Sequence, residues 1–292
     1  MSASSLGSAV VVGTGLIGTS IALALRRAGV QVRLHDANPQ TLADAVWTGA
    51  GRPLTPGDRP ADLVVLATPP AAVPAALRDA QRRRLGAVYT DVASTKSAII
   101  AEAAGIGCDL AAYVPGHPMA GRELAGPLAA SADLFENRPW ALCPGPETAP
   151  EPVRVVTELT ELCGARSHLI ASDAHDRVVA AVSHTPMLIS AALAARFAAD
   201  PSALALAGNA LREMTRVAGS PSDLWKDILR QNAAPVAEVL EQILQDLAAA
   251  TADLRGTGGR AALEDLLRRG VDGHGNIVRE PAALAVPDLV AV

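Results

Sequence analysis

The sequence predicts an α/β fold, a doubly wound parallel sheet followed by an all-α domain. Three observations predict it. Short, continuous apolar runs alternate with helical periodicity up to about residue 170. A glycine-rich turn joins the first strand to the first helix. Beyond Ser172 strand signals vanish, and long Ala/Leu-rich periodic stretches replace them. Residues 9–12 form an apolar run stopped at Gly13, and 16–27 read as a helix ending near Gly29. A strand over 30–34 ends at Asp36-Ala37-Asn38-Pro39. Residues 62–67 form another strand, stopped by Thr68-Pro69-Pro70. A strand over 88–91 leads through Ser94-Thr95-Lys96 into a helix ending about Ala103, and Tyr113-Val114 and Ala141-Leu142 read as short strands. Helices are expected over 173–197, 201–217, 221–229 and 235–254, with proline near several starts and Gly219 near one end. The domains divide as 1–170 and 171–292, the tail after Arg255 being irregular or short-helical.

Half of the 292 residues are apolar and 19% are charged, which suits a buried core rather than disorder. Aromatics make up 2%, so the core must be Ala, Leu and Val. A net charge of −5 argues against nucleic acid or an anionic membrane as partner. Cys108, Cys143 and Cys163 are odd in number and widely spaced, which fits a reducing compartment and neither a metal site nor a disulfide framework. The N-terminus lacks the pattern of a signal peptide. The apolar stretch 178–195 is interrupted by Ser183-His184-Thr185-Pro186, which makes a poor membrane span. A cytoplasmic protein is expected. The helix over 173–197 is apolar on nearly all sides, which implies a core or a subunit interface, and a homodimer.

Gly13-Thr14-Gly15-Leu16-Ile17-Gly18 is G-x-G-x-x-G set between a strand and a helix. Gly13 permits the turn, Gly15 lets a pyrophosphate approach the backbone, and Gly18 lets helix and strand pack closely. The N–H groups and dipole of the helix then face the phosphates at Leu16 and Ile17. Asp36 follows about 20 residues later, where a carboxylate accepts the ribose hydroxyls and repels a 2′-phosphate. NAD is therefore the expected cofactor. Arg33 weakens that preference slightly, although strand alternation aims it elsewhere. Thr68 either lines the cofactor edge or merely ends its strand, and His35 packs near the adenine or lies exposed.

Hydride transfer needs a group to hold the proton of the alcohol being oxidised, and histidine titrates near neutrality. His117, flanked by glycine and proline in PGHPMAG, is expected on a constrained loop just after a strand. His184 is either a site residue or a satisfied core histidine. Arg212 and Arg216 fall four apart on one predicted helix, as a surface pair or as a guanidinium that grips a substrate carboxylate.

Together GTGLIG, DVASTKS (91–97), PGHPMAGRE (115–123), HDRVVAAVSHTP (175–186) and LREMTRVAGSPSDLWKDI (211–228) resemble the prephenate dehydrogenase family, over about residues 8–255. The resemblance implies a Rossmann domain followed by a helical dimerisation domain. It implies NAD-dependent oxidative decarboxylation of prephenate to 4-hydroxyphenylpyruvate in tyrosine biosynthesis. It assigns His117 to the proton of the ring hydroxyl and Ser94 to touching that hydroxyl and orienting the histidine. His184 is assigned to the substrate pocket, Arg216 to a substrate carboxylate, and Lys96 to support of its loop.

Arg122 stands where many relatives have an uncharged residue, and a cation there favours prephenate over the ammonium-bearing arogenate. Met187 replaces a second histidine common after this element. The tail after Arg255 is too short for the C-terminal regulatory domain of some relatives, so any tyrosine feedback would have to act at the active site. Arogenate dehydrogenase is the alternative within the class. A β-hydroxyacid dehydrogenase would want a lysine on the first long helix of the second domain, where the nearest is Lys226. A non-catalytic NAD-sensing module would leave His117, Ser94 and Arg216 as coincidences.

Overall fold

The computed structural model describes residues 6–121, 124–199, 201–220, 222–258 and 261–279. The predicted Arg122 and the chain beyond residue 279 lie outside them. Strands β1 (Ser8–Val12), β2 (Gln31–His35), β3 (Arg52–Pro53), β4 (Ala61–Leu66), β5 (Gly86–Asp91) and β6 (Tyr113–Val114) form one parallel sheet in the order β3-β2-β1-β4-β5-β6. This is the doubly wound dinucleotide-binding order, in which the strand sequence reverses direction at β1 and ligands sit beyond the C-terminal edge there. Helices α1 (Leu16–Arg27), α2 (Pro39–Trp47), α3 (Val73–Arg82) and α4 (Ser97–Gly105) connect the strands.

Because side chains alternate along a strand, each strand feeds two cores. Ala9, Val11, Val32, Leu34, Leu63 and Val65 pack against α1 and its neighbours. Val10, Val64 and Leu66 pack with Val73, Leu77 and Ile99 on the other face. Arg33 is buried and donates to the carbonyl of Arg59, which removes it from the ribose side of β2.

A second sheet of three strands follows, β7 (Gly116–Pro118), β8 (Pro139–Leu142) and β9 (Arg166–Leu169), with α5 (Pro150–Leu162) between the last two. His117 therefore lies on a strand and not on a loop, paired with Ala141. Gly116 makes the crossing possible, since a Cβ there would lie 2.8 Å from the Asp91 carbonyl oxygen. The rare aromatics meet beside it, with the Phe135 and Trp140 rings 5.1 Å apart. All three cysteines are free thiols.

The remaining described elements are helical. Ser172–Phe197 is one helix of 26 residues, long and apolar enough by length and composition to cross a membrane. It buries polar side chains, however, those of His175, Asp176, His184, Thr185 and Ser190. Its first part, α6 (Ser172–Val179), passes through a π turn (Ala180–His184) into α7 (Thr185–Ala194). Pro186 explains the turn: it has no N–H and its ring would strike the carbonyl four residues back, so the wider turn accommodates it. The predicted helix over 201–217 is broken into a 3-10 turn (Ser202–Leu206), α8 (Asn209–Thr215) and a second 3-10 turn (Arg216–Gly219), with Gly208 at the N-cap of α8. Then come α9 (Ser222–Gln231), α10 (Ala233–Leu254) and α11 (Ala261–Ile277).

The 17-residue α11 corrects the expected irregular tail. Its three glycines, Gly270, Gly273 and Gly275, lower helix propensity, but packing along α10 outweighs them. Arg269 ties the two helices to each other through Asp246, at 2.8 Å.

Candidate active site

The glycine turn closes against β4. A Cβ on Gly13, whose φ is +93°, would lie 2.4 Å from the Ala67 carbonyl oxygen, and one on Gly18 would lie 2.0 Å from that of Gly13. Gly15 differs: a Cβ there meets nothing within 4 Å, so its place is open space in front of the helix. No side chain caps α1, so its first N–H groups, at Leu16 and Ile17, are left for an anion. Asp36 sits just beyond β2, accepting from Thr14 N at 2.6 Å and Thr14 Oγ1 at 2.9 Å, while its other oxygen accepts from Asn38 N at 2.8 Å. The carboxylate is thereby pinned beside the turn. Thr68 Oγ1, at the C-terminal edge of β4, is buried with no partner among the described residues. An open cradle, an uncapped helix end, a fixed carboxylate and an orphan hydroxyl together fit a dinucleotide.

The second cluster forms where β5, β7, α6 and the α9–α10 junction meet. Lys96 is fully buried, with Nζ donating to Asp91 Oδ1 at 2.5 Å and to the Gly116 carbonyl at 2.7 Å. Tyr113 donates to the other oxygen of Asp91. This buried pair locks the backbone next to His117; removing one partner of such a pair typically costs ~3–5 kcal/mol. His117 is 8% exposed and its Nδ1 lies 2.8 Å from His175 Nε2. Burial above all, then the neighbouring His175 and Lys96, keeps its imidazole well below the ordinary range, and so neutral.

His175 Nδ1 in turn meets Asp176 Oδ1 at 2.9 Å. Asp176 also accepts from Lys96 N at 2.9 Å and Ser97 N at 2.8 Å, so a carboxylate from α6 caps the N-terminus of α4. Burial alone would raise this carboxyl; the hydrogen bonds from His175, Ser97 and Lys96 outweigh it and hold it below the ordinary value.

His184, in the π turn, is buried, and Asn232 Nδ2 reaches its Nδ1 at 3.0 Å. The same amide donates to the Asp176 carbonyl at 2.8 Å. Burial above all, with His175 close by, pushes His184 down to about 4 against the opposing pull of Asp176. Its Nε2 has no partner among the described residues, and neither do the hydroxyls of Thr185 and Ser190 on the same long helix. Trp225 sets its ring edge-on to His184, centroids 6.0 Å apart. Two further bonds tie α9 to the sheet edge, Thr95 Oγ1 to Gln231 at 2.6 Å and Ala71 N to Asp227 at 2.9 Å.

The structure thus brings His117 and His184 into one buried polar cluster. Ser94 is half-buried in the loop after β5, but no hydrogen bond joins it to His117 among the described residues; His175 holds that ring instead. Arg216 begins the 3-10 turn packed on α7, and its side chain is exposed. Met187 is buried. Sequence reasoning passed over His175, Asp176 and Asn232. The adjacent His–Asp pair, nine residues before His184, was the available signal. Asn232 offered none, because the fold alone brings it to the histidines.

Residues 21–169 match the family described as prephenate dehydrogenase, nucleotide-binding domain, and residues 171–268 match its dimerization domain. A probable prephenate dehydrogenase of Streptomyces niveus is 39% identical, over 97% of this chain and 80% of its own. Among solved structures, an arogenate dehydrogenase of Synechocystis is 27% identical with a TM-score of 0.76, over 93% of this chain and 100% of that one. The prephenate dehydrogenase of A. aeolicus in complex with hydroxyphenyl propionate and NAD+ shares the fold, with a TM-score of 0.82 at 24% identity, over 94% of this chain and 99% of that one.

Proposed function

The chain belongs to the prephenate dehydrogenase family, and from that premise we propose that it oxidatively decarboxylates prephenate to 4-hydroxyphenylpyruvate with NAD, in tyrosine biosynthesis. The observation that carries the reading is a neutral, buried His117 with one ring nitrogen fixed by His175 and the other left for a substrate.

Residues 1–170 hold the cofactor in this reading, and 171–292 supply the far wall of the pocket and the dimer contacts. Gly13, Gly15 and Gly18 with the N–H groups of Leu16 and Ile17 take the pyrophosphate, Asp36 takes the ribose hydroxyls, and Thr68 lines the cofactor edge. NAD supplies the acceptor for the hydride that leaves the carbinol carbon. His117 Nε2 takes the hydroxyl proton as that carbon is oxidised. The ring carboxylate leaves as carbon dioxide and the ring becomes aromatic. His117 then returns its proton to the phenolic oxygen, so the histidine ends as it began. Aromatisation drives the reaction, and the protein's task is alignment.

In this reading Ser94 touches the substrate hydroxyl, while orienting His117 passes to His175. Arg216 pairs with a substrate carboxylate, and His184 offers its buried Nε2–H to an acceptor. A cation at Arg122 would favour prephenate, with its second carboxylate, over the ammonium-bearing arogenate. A homodimer is supported by apolar side chains that α10 and α11 leave exposed, among them Leu254, Leu267 and Val271. The reading carries the expectation of a cytoplasmic enzyme.

The test is His117→Asn. Turnover falls ~10²-fold or more while NAD affinity is unchanged. Near-normal turnover removes His117 from the role.

A further inference from the structure

Two hydrogen-bond chains leave Asp176 and end on the two histidines of the site. One runs from its carboxylate through His175 to His117. The other runs from its backbone carbonyl through the Asn232 amide to His184. Each chain fixes where protons stand. The Asp176 carboxylate can only accept, so His175 Nδ1 carries a hydrogen, and a His175 that carries only that one proton is an acceptor at Nε2. His117 must then hold its proton on Nδ1, which leaves a lone pair on Nε2. On the other branch the Asn232 amide nitrogen donates to a carbonyl, and its second hydrogen faces His184 Nδ1. His184 must then carry its proton on Nε2.

Asn232 is an odd residue to find in this task. It stands at the N-cap of α10, where asparagine ordinarily caps its own helix, yet it makes no cap bond and is 1% exposed. Its side chain is committed to Asp176 and His184 instead. The resulting His184 Nε2–H is a buried donor with no acceptor among the described residues, an arrangement that destabilises a fold unless a ligand supplies the acceptor.

We propose that His175 and Asn232 are positioning residues that set opposite protonation on the two histidines, a free lone pair at His117 Nε2 and a free N–H at His184 Nε2. The site then presents one acceptor, for a hydroxyl proton, and one donor, for a substrate carboxylate or carbonyl. The assignment of those two ligand groups rests on the reading of His117 as the base for a cyclohexadienyl alcohol; the proton placements themselves do not.

The experiment is long-range proton–nitrogen NMR on the ligand-free full chain labelled with 13C and 15N, its histidine signals assigned through backbone correlations. The expected spectrum has His117 as the Nδ1–H tautomer and His184 as the Nε2–H tautomer. Asn232→Asp replaces a donor by an acceptor and should move the His184 proton to Nδ1, raising the prephenate KM by about 10- to 100-fold with kcat little changed. His175→Leu should cost ~10²-fold in kcat with the NAD KM unmoved, and His175→Gln, whose carbonyl still accepts from Nδ1–H, should recover most of that loss. His117 found as Nε2–H in the wild type overturns the proposal, and so does a His184 tautomer that ignores Asn232→Asp. Because the wild-type spectrum is decisive alone, a variant that fails to fold does not shield the proposal. A wild type with the expected tautomers but no turnover of prephenate supports the network and sinks the substrate reading. An active wild type with reversed tautomers does the opposite.

Discussion

Lowering the pH from 8 to 5 should cost the fold about 2 kcal/mol through His184 alone. The folded imidazole is pushed from 6.5 down to about 4, by burial first and by His175 second, against the pull of Asp176. The unfolded chain keeps the ordinary value, so between these two values it binds more protons than the native state, and stability falls as pH falls. The contribution is fully present above about pH 7, is lost progressively below 6.5, and reaches about 3 kcal/mol near pH 4. Urea unfolding followed by tryptophan fluorescence at fixed protein concentration reads the loss, provided the slope m is unchanged. Other groups titrate in the same window, His117 among them, so the comparison that isolates the effect is wild type against His184→Gln. The variant should lose about 2 kcal/mol less between the two pH values, whatever its stability at pH 8. Equal pH dependence in the two proteins, within about 0.5 kcal/mol, would mean that His184 is solvated and the buried cluster is wrong.

Two glycine variants separate packing from cofactor binding. Gly18→Ala should lower both stability and NAD affinity, since its Cβ would lie 2.0 Å from backbone, an overpacking that typically costs ~1–3 kcal/mol. Gly15→Ala should leave the unfolding midpoint unchanged while weakening NAD, and a midpoint that drops equally for both would refute the open cradle. Asp36→Ser should raise the NAD KM by about 10- to 100-fold and narrow the NAD to NADP ratio; steady-state assays with both cofactors decide it. Arg216→Ala should raise the prephenate KM by about 10-fold or more with kcat within a few-fold. An unchanged KM makes that arginine structural.

The cofactor half was legible because its requirements are local. G-x-G-x-x-G needs its neighbours in sequence, and Asp36 lies at the end of the very next strand, so spacing alone brings them together. The continuous apolar strands likewise announced a sheet covered on both faces. The proposed catalytic half depends on contacts between distant segments. Asp176 caps α4 from a helix 79 residues away, and Asn232 reaches His184 across 48. No periodicity encodes such meetings. His117 was found through its glycine and proline neighbours, which suggested a loop; pairing with β8 made it a strand, because Gly116 lets the backbone pass the end of β5. The helical tail was missed for a related reason, since glycine content argued locally against α11 while α10 supplied the packing that overrides it.

Turnover of prephenate and arogenate, measured side by side with NAD and with NADP, decides the proposed activity. Prephenate with NAD should give carbon dioxide and reduced cofactor in equal amounts, with smaller kcat/KM for arogenate and for NADP. Equal or greater kcat/KM for arogenate would contradict the substrate assignment, and NAD binding without turnover of either acid would contradict the enzyme.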